Sequence, residues 1–116
     1  MIKNKIIAID FDGTITENSP YPKMGKLRKN CKEVIDFIHQ NNIIILWTCR
    51  TGKFLDEAID FINKNNLAID FINCIDISNR DMPRKINADI YIDDRNIFCR
   101  EINWLQIKNY FEKESS

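Results

Sequence analysis

Two short acidic runs carry the chemistry that is legible in this chain. Asp10 and Asp12 stand two apart in IIAIDFDGTIT, and Asp93 and Asp94 are adjacent in IYIDD. Each run follows an unbroken apolar stretch. Thr48 closes a third such stretch, IIILWT, and Lys85 stands shortly before IYI. Carboxylates gathered in one place repel each other, so a cation should hold them together. All-oxygen ligands without histidine favour Mg²⁺. Such a set suits phosphoryl transfer. The cation offsets the charge of an incoming phosphate, and a hydroxyl and a lysine bind its remaining oxygens. A carboxylate then attacks phosphorus and divides hydrolysis into two easier steps. Gly13 lets the backbone turn sharply beside the substrate. Thr14 and Arg50 are the further candidates for contact with it.

The elements that must position these residues alternate. Lys5 to Ile9, Ile43 to Trp47, Ala68 to Ile72 and Ile90 to Ile92 read as strands. Ile-rich runs of this kind suit a parallel sheet covered on both faces. Between them, Cys31, Val34, Ile35 and Ile38 follow helical spacing, as do Leu55, Ala58, Ile59 and Ile62, and later Trp104, Ile107 and Phe111. Asn103 with Gln106 resembles a capping box. Asn41-Asn42 and Asn65-Asn66 both fall between a helix and the next strand, where a left-handed residue is useful. The expected fold is a three-layer, Rossmann-like α/β domain spanning residues 1–116, an open parallel sheet in order 3-2-1-4. Sites in such sheets form beyond the carboxyl ends of the strands, where Asp10, Thr48 and Asp93 fall. Thr14 to Lys26, with Pro20, Pro22 and Gly25, breaks the rhythm and reads as a loop or small hairpin; Asn73 to Arg84 is a second irregular stretch.

Composition narrows the classes. With 116 residues, the chain fits one domain. Lysine plus arginine and aspartate plus glutamate number 17 each, so no global field draws the protein to nucleic acid or a membrane. Nucleic acid is expected at most as a substrate. No apolar stretch approaches a membrane span, and the start of the chain does not resemble a signal peptide. The four cysteines form no CxxC and read as reduced thiols of a cytoplasmic protein. Cys74 to Arg80 has the spacing of a cysteine-phosphatase loop but lacks the glycines of a phosphate cradle. The basic run of Lys23, Lys26, Arg28, Lys29 and Lys32 reads as a solvated face.

The ordered set resembles the haloacid dehalogenase (HAD) superfamily. IIAIDFDGTIT is similar to its first motif, an apolar strand followed by DxDGT; Thr48, Lys85 and the pair Asp93-Asp94 stand where its second, third and fourth motifs would. The resemblance implies that Asp10 is the nucleophile and a Mg²⁺ ligand. It implies that Asp12 is the acid and base, and binds the metal through its backbone carbonyl. Thr48 and Lys85 would hold the phosphoryl group, and Asp93 and Asp94 would complete the metal site. Neither of the usual insertion points has room for a cap domain, so the chain is similar to capless members. The substrate would be a phosphorylated small molecule, or a phosphorylated macromolecule that closes the site itself; a homo-oligomer could also cover it.

Other classes compete. A phosphotransferase would use the same groups. A receiver-like signalling domain also gathers acids, a Thr and a Lys around Mg²⁺, in a different order, and would place its phosphoacceptor near Asp56. A non-catalytic phosphate-binding module is the third, and it has no need of Asp12.

Overall fold

The apolar runs form the strands that their composition predicts. A computed structural model describes residues 1–73, 87–94 and 101–114. In it β1 (Ile6–Asp10), β2 (Ile43–Trp47), β3 (Phe71–Ile72) and β4 (Ile90–Ile92) build one sheet in the order β3-β2-β1-β4. Every pairing is parallel. The fold is the expected Rossmann-like α/β arrangement.

Register decides which side chains share a face. Ile7 lies opposite both Ile44 and Ile90, Ile9 opposite Leu46 and Ile92, and Leu46 opposite Ile72. These residues make one apolar face. Onto it pack α1 (Cys31–His39), α2 (Gly52–Lys64) and α3 (Trp104–Lys113). Cys31, Val34, Ile35 and Ile38 of α1 are all buried, as their spacing requires. On α2, Leu55, Ala58 and Ile62 are buried and Ile59 only partly. α1 packs beside α3, and its Lys32 reaches the Asn66 carbonyl after α2 at 3.3 Å. The described residues thus supply the sheet and a helical layer on one face.

The third strand is shorter than predicted, and Asp70 is the reason. Its side chain accepts the Ile44 N–H at 2.9 Å while its own N–H donates to the Ile44 carbonyl. A carboxylate thus takes the ladder position that a strand carbonyl would have filled. Asp89 does the same with Ile6, and Asn42 accepts from Lys5 N. Each of these residues stands immediately before its strand. His39, at the end of α1, bonds the same Asp70 at 2.9 Å.

The asparagine pairs resolve differently. Asn66 adopts a positive φ of 52°, as expected after a helix. Asn42 does not; it is buried and donates to the carbonyls of Ile2 and Ile38. Asn103 caps α3 by accepting from the N–H groups of Leu105 and Gln106. Thr14 to Lys26 does form a small hairpin: Thr16 bridges Leu27, and Glu17 N donates to the Lys26 carbonyl at 2.7 Å. Residues 17–26 project from it as a flap. Gly25 is required there, because a Cβ would run into the Glu17 carbonyl. Between β1 and β2 the chain holds only this hairpin and α1. No described helix is long and apolar enough to cross a membrane.

Candidate functional site

β1 ends in Asp10, and the chain then makes a wide turn through Phe11–Ile15. Gly13 sits in this turn at a φ of 83°, a conformation that L side chains rarely adopt. A Cβ at this position would also run into the carboxylate of Asp94 and the side chain of Asn18. Gly13 therefore serves two ends: it turns the chain, and it lets β4's acid approach β1's.

The result is a cluster of three acids. Carboxylate oxygens of Asp10, Asp93 and Asp94 lie within 4.8 Å of one another and could hold a metal ion. Burial, together with the charges of Asp93 and Asp94, pushes the Asp10 carboxyl up to about 7. Thr14 works against that rise. Its hydroxyl donates to Asp10 Oδ2 at 3.2 Å and accepts the Asp94 N–H at 3.0 Å. Thr14 is fully buried and is not among the residues that line the cleft; it braces the two acids from behind. Its carbonyl is held in turn by the Trp104 indole N–H at 3.1 Å.

Asp12 points elsewhere. Its carboxylate receives Arg50 in a two-pronged pair, Nε to Oδ2 at 2.8 Å and Nη2 to Oδ1 at 2.7 Å. Any share of Asp12 in a metal site would therefore come through its backbone carbonyl. The Arg50 side chain is wholly buried, whereas that of Asp12 is 37% exposed. Arg50, a candidate for substrate contact, lines the cleft and is paired there with Asp12.

Thr48, at the end of β2, is buried at the base of the cleft. Its N–H donates to Asn73 Oδ1 at 2.8 Å, and its hydroxyl oxygen accepts the Arg50 N–H at 3.1 Å. The cleft itself has a volume of about 650 Å³. Asp10, Asp12, Gly13, Thr48, Asp93 and Asp94 all line it, together with Asn18, Tyr21 and Trp47. Lys85 lies outside the described residues, as do Arg84, Arg95, Cys74 and Arg80. Asp56 is exposed on α2 and is not among the residues that line the cleft.

Sequence reasoning missed three supports. Asn73 holds Thr48, and its one signal is an asparagine directly after a strand. Arg28 donates to the Gly13 carbonyl from both Nε and Nη2, at 3.0 and 2.8 Å; in the sequence it is one cation in a basic run. Trp104 was legible only as a core position.

Fold and site together define a Rossmann-like α/β protein with an acidic cleft at the carboxyl edge of its sheet. No protein-family model matches the chain, and no curated protein does. A solved structure, titled as the conserved protein coded by a locus from Bacteroides thetaiotaomicron, is 32% identical to it. The likeness covers 98% of this chain and 94% of that one, with a TM-score of 0.85. The chain belongs to the same family as that protein.

Proposed function

We propose that this chain is a Mg²⁺-dependent phosphohydrolase of the HAD superfamily, acting on phosphate monoesters through an aspartyl-phosphate on Asp10. The observation that carries the reading is the meeting of Asp10, Asp93 and Asp94, from two different strands, within 4.8 Å at the sheet's carboxyl edge. Three carboxylates so close, one of them held up to about 7, form a site that a divalent cation would relieve. Their oxygens are the donors that Mg²⁺ takes. When bound, Mg²⁺ would neutralise these acids and the phosphoryl oxygens.

The chain's own residues then divide the work. Asp10 attacks phosphorus as the bond to the leaving oxygen breaks, and Asp12 gives that oxygen a proton. Asp12 next takes a proton from water, which attacks the phosphorus and releases phosphate from Asp10. Thr48 offers its hydroxyl proton to a phosphoryl oxygen at the base of the cleft. Lys85 is assigned the remaining phosphoryl contact by its place in the sequence. The substrate is a phosphorylated small molecule, or a phosphorylated macromolecule that seals the open cleft. We place the protein in the cytoplasm, a reading supported by the free thiols of Cys31 and Cys49.

The test is phosphate release from an aryl phosphate and a panel of phosphorylated metabolites, with and without Mg²⁺. Asp10→Asn should lose roughly a thousandfold or more of the wild-type turnover. Turnover that survives in the mutant would remove Asp10 from the reaction, and turnover that ignores chelation would remove Mg²⁺. Transfer to an added alcohol in preference to water would make the protein a phosphotransferase. A folded wild type inactive on every ester would favour the binding module.

A further inference from the structure

Arg50 lines the cleft with its side chain wholly buried, and each guanidinium nitrogen bonds the protein, Nη1 through the Phe54 carbonyl at 3.4 Å. Two of its nitrogens pair with Asp12. Nη2 also donates to the Pro22 carbonyl at 3.1 Å. The group lies over the rings of Phe11 and Tyr21, at 5.5 and 5.2 Å from their centroids. Its backbone N–H rests on the Thr48 hydroxyl. One side chain therefore joins the turn after β1, the flap and α2, while the backbone of the same residue holds the end of β2.

We propose that Arg50 is a positioning residue: it fixes the carboxylate of Asp12 and ties the flap of residues 17–26 to it. The proposal rests on the phosphohydrolase reading for what Asp12 does, but not for the tie itself. A planar fork holds a carboxylate in one orientation, which a lysine's single point charge does not do. Arg50 takes both oxygens of Asp12 from the buried side, and the Asp12 side chain still keeps 37% of its surface exposed where it lines the cleft. The same guanidinium carries Pro22 and Tyr21, so the flap stands in fixed relation to the residue that protonates the leaving group. In a chain with no cap between β1 and β2, this tie sets the wall on the leaving-group side.

Arg50→Lys separates this role from its rivals through a series of aryl phosphates of falling leaving-group quality. Good leaving groups such as dinitrophenol need little proton donation, whereas phenol needs a great deal. In kcat/KM, which reports only the steps through departure of the leaving group, the variant should therefore lose roughly ten- to a hundredfold on phenyl phosphate and little on dinitrophenyl phosphate. Asp12→Asn should show the same pattern, and the double variant no further loss. Amide exchange in residues 17–26 should rise in Arg50→Lys, a readout that needs no activity. Equal loss across the series, a change in KM alone, or unchanged exchange in the flap would each overturn the proposal. If the wild type hydrolyses nothing but the flap loosens in Arg50→Lys, the phosphohydrolase reading and the assigned duty of Asp12 fall, and the tie stands. Should Arg50→Lys not fold, Tyr21→Ala at an exposed position removes the ring contact and should loosen the flap; no change there would overturn the tie.

Discussion

Asp10 is ionisable where ionisation is opposed, and this leaves a mark on stability. In the fold its carboxyl keeps a proton up to about pH 7, whereas its ordinary value is 3.8. Between these values the folded chain binds more protons than the unfolded one. Stability should therefore be greatest below the lower value and fall as pH rises through the upper one. Asp10→Asn stays neutral at every pH. In the presence of a chelator it should be more stable than wild type above pH 7, by on the order of a few kcal/mol, with the gap closing near pH 4. Parallel melting curves for the two proteins across that range would contradict the burial and charge assigned to Asp10. Gly13 is the other residue on which the acids depend. Gly13→Ala puts a methyl group against Asp94 and forces an alanine to a φ of 83°. It should cost roughly 1–2 kcal/mol or more and abolish Mg²⁺-dependent turnover. A variant that melts and turns over like wild type would show that the two strands' acids do not need this close approach.

The strands are short and are finished by side chains. Asn42, Asp70 and Asp89, each one residue ahead of its strand, accept N–H groups from neighbouring strands at Lys5, Ile44 and Ile6. Asn73 repeats the device at the other edge, giving its N–H to the Leu46 carbonyl and accepting from Thr48. Strands of two and three residues can therefore hold register without long ladders. Asn42→Ala would take the side-chain partner from the Ile2 carbonyl and the Lys5 N–H, while the Ile38 carbonyl keeps the Asn41 N–H, and should cost roughly 1–3 kcal/mol by chemical denaturation. Asp89→Ala, at an exposed position, should cost less than Asn42→Ala. If the order of the two is reversed, the amino edge of the sheet is not held this way.

Across the whole molecule, the last helix supports the first loop. Trp104 is buried in the core, yet its indole N–H bonds the Thr14 carbonyl, and the Thr14 hydroxyl carries Asp10 and the Asp94 backbone. α3 is thus one residue, Thr14, removed from the acid cluster. Trp104→Phe keeps most of the apolar volume and loses that bond. It should lower stability by roughly 1–3 kcal/mol and also lower kcat, with KM moving less. A loss of stability with kcat intact would make Trp104 a packing residue only. At the far end of the same helix, the Ile2 N–H bonds the Phe111 carbonyl at 2.9 Å, so α3 also holds the start of the chain.

The sequence by itself determined the elements and the acids. Hydrophobic period is a local property, so four strands, three helices and their order could be read from Ile-rich runs and helical spacings. Asp10, Thr48 and Asp93 fall at strand ends, and a parallel sheet brings such ends to one edge whatever its details. What each polar side chain touches was decided only by the tertiary structure. Thr14 braces the acids because the turn after β1 aims its hydroxyl at Asp10. Arg50 met Asp12 because α2 and the flap close around it. Asn73, Arg28 and Trp104 reach the site from distant parts of the chain, and no spacing along the chain encodes those distances. Periodicity reports burial; the partner of a buried polar group depends on where another element brings its own.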